Sequence, residues 1–349
     1  MNSHPMDQPD RLVETVTLGQ AKALMRALAH EQSLLLLSAP GAGKSESVAQ
    51  AAADAGLPCR SLLGTQIAPE DVSGIPRIVG ERSVFCPPRI LLPESPEPYC
   101  LFLDELPACA PDVQKAFYSV LLERRLGEHV LPRGTWVVAA GNRAQDRAVV
   151  RALSSALVNR VIILNIRIDV REWLLWAGAH GVRQEILSFI TFMPEALMRP
   201  VPPQPIPFST PRAWASLSRA LDLTEAAGLE NRDTRRALAF GRLTPEDAAI
   251  FCAMAEEAIE DLLPPKHYIE SPEQMPSADA ARWFLLQRVR ALLVRGELTG
   301  FTPEQINRFL LALPADHRFA LLVGLVRQWG ALGADEAMFD SLRHATGLS

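Results

Sequence analysis

In the first half of the chain, short apolar runs alternate with stretches of helical pattern. The runs are continuous rather than alternating, which is typical of strands whose two faces are both buried. Strands separated by helices favour a parallel sheet flanked by helices, so the pattern predicts an α/β core with a parallel five-stranded sheet. The strands are expected at 34–38, 59–62, 100–103, 136–140 and 161–166, and the two clearest helices at 44–56 and 111–125.

Two proline-rich segments interrupt this rhythm. Residues 65–98 contain seven prolines, with apolar residues on either side of Gly80, which predicts a β-hairpin insert followed by an irregular loop. Residues 194–210 contain six prolines and cannot form one continuous helix, so this segment is predicted to connect two domains. Beyond it the pattern is helical, and threonine followed by proline at 244–245 and 302–303 predicts two helix starts.

A chain of 349 residues is too long for one small core, and we expect two packed domains. The predicted organisation is an α/β core followed by an all-α domain. The segments are a tail at 1–16, the core at 17–193 with its insert at about 65–98, the connector at 194–210, and the helical domain at 211–349.

Composition narrows the class of protein. Hydrophobic residues make up 48% of the chain and charged residues 21%, which is typical of a folded globular protein. The net charge of −5 gives no overall attraction to DNA or to anionic membranes, although it is compatible with a local basic channel. No apolar run approaches the roughly 20 residues that cross a bilayer, so no membrane association is expected. Five cysteines without CxxC spacing favour a reduced, cytoplasmic setting over a zinc site or a disulfide framework.

A phosphate loop is the clearest candidate for chemistry. Residues 38–45 (SAPGAGKS) join a predicted strand to a predicted helix, which is the context that this motif requires. Gly41 and Gly43 allow successive amides to turn toward one anion, and the helix N-terminus adds a positive dipole. Lys44 can reach the β- and γ-phosphates of a nucleotide, and the Ser45 hydroxyl can bind Mg²⁺. The alternative, a glycine-rich turn with a stray lysine, is disfavoured because the chain has only four lysines.

The loop departs from its consensus at one place. Ser38 stands where the consensus has glycine, and we expect this to alter the first turn without removing a phosphate ligand. The predicted nucleotide contacts are Pro40, Gly41, Ala42, Gly43, Lys44, Ser45 and Glu46.

Polar side chains follow two later strands. Asp104 and Glu105 end an apolar strand, where Asp104 can hold Mg²⁺ together with Ser45 and Glu105 can polarise an attacking water. A solvated strand end is the alternative interpretation, and the nearby phosphate loop disfavours it. Asn142 follows another strand and could orient the same water, although asparagine is common in turns.

The order of these motifs resembles the AAA+ ATPases, and within them the MoxR group. The resemblance extends from about residue 17 to about residue 325, and the order and spacing of the motifs are more specific than any single motif. Besides the phosphate loop, the motifs are 103–106 (LDEL), 111–116 (PDVQKA), 140–143 (AGNR), 157–161 (LVNRV) and 209–214 (STPRAW).

The resemblance implies roles for further residues. Asn142 matches the first sensor, Arg160 the arginine finger that acts on a neighbouring subunit's nucleotide, and Arg212 the second sensor at the start of a helical lid. The hairpin near Gly80 matches an insert that faces a central pore. The implied cofactors are ATP and Mg²⁺, and the implied assembly is a homo-oligomeric, hexameric ring.

Two functions remain open at this point. The resemblance favours a chaperone-like ATPase that remodels a protein client, with a von Willebrand A-domain protein as partner. The alternative is a nucleic-acid-directed AAA+ motor or restriction-type subunit, for which Arg77, Arg82, Arg89 and Phe85 in the insert offer limited support. A small-molecule kinase and a non-enzymatic scaffold are disfavoured by the helical second half and by the acidic pair.

A basic cluster precedes Arg160. Either Arg143, Arg147 or Arg151 is a second arginine that acts in trans, or all three lie on a solvated helix face. The sequence favours the solvated face and leaves both interpretations open.

Overall fold

A six-stranded parallel sheet forms the centre of the first of two units, Met1–Ile168 and Asp169–Ser349, into which the chain divides. The computed structural model describes residues 13–94, 97–143, 154–257, 263–277, 279–335 and 339. The strands are β1 Thr15–Val16, β2 Leu34–Ser38, β3 Cys59–Leu63, β4 Ile75–Val79, β5 Arg82–Cys86, β6 Cys100–Asp104, β7 Arg125–Leu126, β8 His129–Val130, β9 Trp136–Asn142 and β10 Ile162–Ile166.

The order of strands in the main sheet is β1-β10-β2-β9-β6-β3, with parallel pairing throughout. All five predicted strands are present, and the α/β fold class is confirmed. The prediction of five strands is wrong by one, because β1 adds an edge strand that pairs Thr15 with Asn165 and Val16 with Ile166. Two residues are too few to produce a recognisable apolar run.

Each face of the sheet buries its own apolar cluster. Six α-helices are described in this unit: α1 Leu18–Leu28, α2 Lys44–Asp54, α3 Pro69–Ser73, α4 Pro111–Ala116, α5 Tyr118–Glu123 and α6 Ser155–Val158. One face of β2 packs Leu34 and Leu36 in a cluster with Met25 of α1 and Val48 of α2. The residues between them on β2 point to the opposite face, where the second cluster includes Leu35, Leu37, Val113, Phe117 and Val120.

The single helix predicted over 111–125 is wrong, because the structure shows α4 and α5 with a break at Phe117. The Phe117 side chain is fully buried in the sheet-facing cluster. Its amide is shared between the carbonyls of Val113, at 3.3 Å, and Gln114, at 3.2 Å, which tightens the helical turn at this point.

The predicted hairpin insert is confirmed as β4 and β5, an antiparallel pair with its turn at Gly80 and Glu81. Gly80 adopts a φ of +62°, a left-handed conformation that suits glycine in a two-residue turn. Every residue of β4 is exposed, including Ile75 at 73% and Ile78 at 80%. The hairpin therefore presents apolar side chains that the first unit does not cover.

In the second unit, the described elements are all helices. They are α7 Val170–Ala179, α8 Gln184–Phe192, α9 Pro211–Ala226, α10 Arg232–Phe240, α11 Pro245–Glu257, α12 Pro265–Glu270, α13 Asp279–Val294, α14 Pro303–Ala312, α15 Ala315–Leu322 and α16 Val326–Ala331. Both predicted helix starts are present, at α11 and α14. Thr302 caps α14 by accepting a hydrogen bond from the Gln305 amide.

The sequence pattern places residues 169–193 with the α/β core, whereas in the structure α7 and α8 belong to the helical unit. The apolar side of α8 explains this position. Phe189 of α8 lies 5.1 Å, centroid to centroid, from Trp214 of α9 and 5.6 Å from Phe251 of α11. The buried part of α8 combines apolar residues with the polar Glu185 and Ser188, and a helix of this kind can pack on a sheet or on other helices, so its pattern alone does not assign it to a domain.

Within the described residues, no helix has both the length and the apolar character needed to cross a bilayer.

Within the helical unit, Asp247 of α11 contacts both ends of the proline-rich segment at 199–209. Its side chain is fully buried and accepts hydrogen bonds from Arg199 Nη2 at 2.5 Å and from Ser209 Oγ at 2.6 Å. The hydrogen bond that Arg199 donates to Asp247 raises the pKa of the Arg199 guanidinium. The pair holds both ends of the segment that leads into α9.

We expect Asp247→Asn to lower the free energy of unfolding of the helical unit by about 2–3 kcal/mol, because one partner of a buried, charge-assisted contact is lost. The change would be measured as a lower midpoint in urea. Glu246→Gln is the matched control, since Glu246 is the exposed neighbour on the same helix turn. Equal midpoints for the two variants would contradict the structural role assigned to Asp247.

Candidate functional site

The phosphate loop connects the end of β2 to the start of α2. Gly41 and Gly43 adopt φ values of +78° and +94°, which side-chain-bearing residues rarely accept. The first hydrogen bond of α2 runs from the Ser47 amide to the Gly43 carbonyl. The first turn of an α-helix presents amide groups beyond those used in its own hydrogen bonds, which makes this end of α2 suited to an anion.

The position of β2 in the sheet creates the crevice for the loop. β2 lies between β10 and β9, whereas the next long strand of the chain, β3, lies at the far edge beyond β6. The chain thus leaves the loop and crosses over two strands, and ligands of open α/β sheets bind at such points, beyond the carboxyl ends of the strands. β6 ends at Asp104 and β9 ends at Asn142, and both strands end at this same edge of the sheet.

Lys44 lies at the centre of the loop, with only 7% of its surface exposed. Its Nζ donates to Ser38 Oγ at 2.9 Å, to Asn142 Oδ1 at 3.2 Å and to the Ala39 carbonyl at 3.3 Å. Asn142 is brought here by strand register, because it lies directly opposite Ser38 in the β2–β9 pair. The structure therefore joins Lys44 and Asn142, which are 98 residues apart in sequence.

The predicted metal ligands also meet. Ser45 Oγ donates to Asp104 Oδ2 at 2.7 Å. A hydroxyl and a carboxylate beside a phosphate loop fit Mg²⁺, which prefers oxygen ligands and takes most of them from water and phosphates. Within the described ranges, no cluster of three His, Cys, Asp or Glu side chains forms a closed metal cage. The donor set matches a metal held jointly with a nucleotide.

Glu105 has an unusual backbone. Its φ of 56° and ψ of 28° are left-handed, and its amide donates to Asp104 Oδ1 at 2.9 Å. Such conformations are costly for a residue other than glycine and tend to occur at functional sites. The carboxylate accepts a hydrogen bond from Thr65 Oγ1 at 3.4 Å. Sequence reasoning missed Thr65, whose only signal is its place just after β3, the sheet neighbour of β6.

Close packing fixes the Glu105 turn against β9. A Cβ atom placed on Gly141 would lie 2.4 Å from Pro107, so only glycine allows the strand and the turn to approach this closely. Gly141 precedes Asn142, and Pro107 follows Glu105 by two residues. The segments that bear the two candidate catalytic side chains are thus in close contact through Gly141 and the Pro107 ring.

The two predicted arginines are not among the residues of these contacts. Arg160 follows α6 and donates from Nη1 to the Ala156 carbonyl at 2.7 Å, and its guanidinium lies 4.7 Å from the centre of the Tyr118 ring. Arg212 is an exposed residue in the first turn of α9, in the second unit. The roles assigned to both remain predictions.

The basic cluster is described only in part. Arg147 and Arg151 lie outside the described residues. The Arg143 amide donates to the Ser38 carbonyl at 3.3 Å, which places its backbone beside the loop.

The similarity to solved structures is distant. The chain is 14% identical to the RuvB Holliday junction branch migration motor of Thermotoga maritima, with a TM-score of 0.39 and coverage of 93% of each chain. It is 14% identical to NtrX from Brucella abortus, with a TM-score of 0.39 and coverage of 95% of this chain and 69% of that one. No protein-family profile and no curated protein matches the chain. The functional assignment therefore depends on the geometry of the site.

Proposed function

We propose that this chain is an ATPase of the AAA+ kind that hydrolyses ATP with Mg²⁺. The observation that carries the proposal is the convergence of Lys44, Ser45, Asp104, Glu105 and Asn142 at the carboxyl edge of one sheet. These groups come from three elements, and they supply the cation, the metal ligands, the base and the amide that phosphoryl transfer to water requires.

Each residue of the site has its own proposed role in hydrolysis. Bound ATP and Mg²⁺ supply a labile phosphoanhydride and a cation that neutralises its charge. Lys44 and the amides of 41–46 would hold the phosphates, and Ser45 and Asp104 would hold the metal. Glu105 would accept a proton from water as general base, and Asn142 would orient that water. The left-handed backbone of Glu105 and its contact with Thr65 keep the carboxylate in a defined position.

Arg160 and Arg212 are the two further residues with proposed roles in hydrolysis. In the AAA+ arrangement, Arg160 acts on nucleotide bound to a neighbouring subunit of a hexameric ring, and Arg212 acts from the helical lid. The Arg160 guanidinium donates to the Ala156 carbonyl and lies over the face of the Tyr118 ring. Hydrolysis would then require assembly.

Arg160→Ala is expected to lower the ATPase rate by about 10²-fold or more while leaving ATP bound, because transition-state charge loses its partner. Wild-type specific activity should rise with protein concentration, and mixing Arg160→Ala with Lys44→Ala subunits should restore part of it, since each supplies what the other lacks. Arg133→Ala, an exposed arginine of the same unit, is the control. Activity independent of concentration, with no restoration on mixing, would exclude action in trans.

For the client, we propose remodelling of a protein complex in the manner of the MoxR group, with a von Willebrand A-domain protein as partner. The exposed side chains of Ile75, Ile78 and Phe85 support contact with a protein, because exposed apolar clusters mark interaction sites. The nucleic-acid alternative relies on Arg77, Arg82 and Arg89, and Arg89 lies 3.9 Å from Glu94. The same ATPase assay distinguishes the two, since stimulation by DNA at low salt would favour a nucleic-acid motor.

A further inference from the structure

Ser38 is the one position where the phosphate loop departs from its consensus, and the structure gives its hydroxyl a specific contact. The side chain is only 1% exposed, at the end of β2. Its Oγ donates to the Ala39 carbonyl at 2.9 Å and accepts from Lys44 Nζ at 2.9 Å. The glycine of the consensus would offer no acceptor at this place.

The acceptors around Lys44 outnumber its donors. The ammonium group has three N–H bonds, and four protein oxygens lie within 3.4 Å of it. They are Ser38 Oγ, Asn142 Oδ1 and the carbonyl oxygens of Ser38 and Ala39, and the contact with Ser38 Oγ is the shortest. A phosphate oxygen can therefore be bound by Lys44 only if it displaces at least one of these partners.

We infer that Ser38 is a positioning residue that holds the Lys44 amine against the ends of β2 and β9 and so weakens nucleotide binding. The inference rests on the proposed function and deepens it, because it makes Ser38 a determinant of affinity. The two carbonyl acceptors belong to the backbone and remain in any variant, so substitution can remove only the Ser38 hydroxyl and the Asn142 amide. Of these two, Ser38 is the one outside the proposed catalytic set. Binding of a triphosphate breaks the contact between Nζ and Oγ, and the amine turns to the phosphates.

The first test needs no nucleotide. Only four lysines occur in the chain, so the rate at which acetic anhydride modifies Lys44 can be followed by mass spectrometry, with the exposed Lys115 and Lys266 as internal references. Ser38→Ala should raise the rate at Lys44 by about 3- to 10-fold, the factor expected when a hydrogen bond to a charged group is lost and partly replaced. Ser38→Thr keeps the oxygen and should restore the slower rate.

The matched control is Ser33→Ala. Ser33 is a buried serine just before the other end of β2, and its hydroxyl donates to the Leu121 carbonyl at 2.6 Å, away from the loop. This variant loses the same kind of group and should leave the Lys44 rate unchanged. An unchanged rate in Ser38→Ala, or an equal increase in Ser33→Ala, would overturn the inference.

The second test measures the dissociation constant of a fluorescent, non-hydrolysable ATP analogue with Mg²⁺. Ser38→Ala should bind it about 3- to 10-fold more tightly than wild type, since the competing acceptor is gone. Equal or weaker binding would overturn the inference. If the wild-type protein binds no analogue, the proposed function fails, whereas the labelling result still decides whether Ser38 holds Lys44.

Discussion

Replacement of Glu105 by glutamine should leave ATP bound and lower the rate of hydrolysis by about 10²- to 10⁴-fold, the range that general-base catalysis contributes. Glutamine keeps the size of the side chain and can still contact Thr65, so the phosphate loop and the metal ligands stay in place. What is lost is the group that accepts a proton from the attacking water. The variant is expected to accumulate in its ATP-bound form.

Two measurements check this result. The turnover of ATP gives the loss in rate, and the binding of labelled ATP with Mg²⁺ shows that the site is intact. Glu123→Gln removes an exposed carboxylate from α5 of the same unit and should match wild type in both. Wild-type turnover in Glu105→Gln would show that another group is the base.

The second large effect is expected for Lys44→Ala, which should weaken nucleotide binding by about 10²- to 10³-fold and abolish measurable turnover. Lys44 can form two charge-assisted hydrogen bonds with the β- and γ-phosphates, and each contributes about 2 kcal/mol. Because the amine also contacts Ser38 and Asn142, the free energy of unfolding should be measured beside the affinity.

Lys115→Ala provides the control for charge, since Lys115 is exposed and its partner is Asp112 on the same helix. A Lys44→Ala variant that is fully folded and binds the nucleotide with wild-type affinity would refute the phosphate loop itself. The contrast with Glu105→Gln separates binding from chemistry, because the two variants should fail at different steps.

The elements that sequence reasoning predicts well are those whose evidence is local. β2, β6 and β9 are continuous apolar runs, and each ends in a polar residue at the site. The loop between β2 and α2 is likewise recognised from eight consecutive residues, 38–45. Since parallel strands end at one edge of a sheet, these local facts place Lys44 and Asn142 at the same edge, whereas their direct contact also requires β2 and β9 to be neighbours.

The features that escape prediction depend on which strands are neighbours. Thr65 contacts Glu105 because β3 pairs with β6, and local sequence patterns do not show which strands pair. The contact between Ser38 and Lys44 escapes prediction for a different reason. The consensus describes the ligands of the phosphates and not the partners of the lysine itself. The break at Phe117 follows from burial of one aromatic ring, which competes with helical hydrogen bonding only in the folded core.

The contact between Gly141 and Pro107 has a consequence for the candidate site. The Pro107 ring lies against Gly141, where no β-carbon intervenes, so the turn that bears Glu105 packs directly on the strand that bears Asn142. A rearrangement that displaces the end of β9 is therefore expected to displace the turn that bears Glu105 with it, because the Pro107 ring and Gly141 leave no space for one to move into the other.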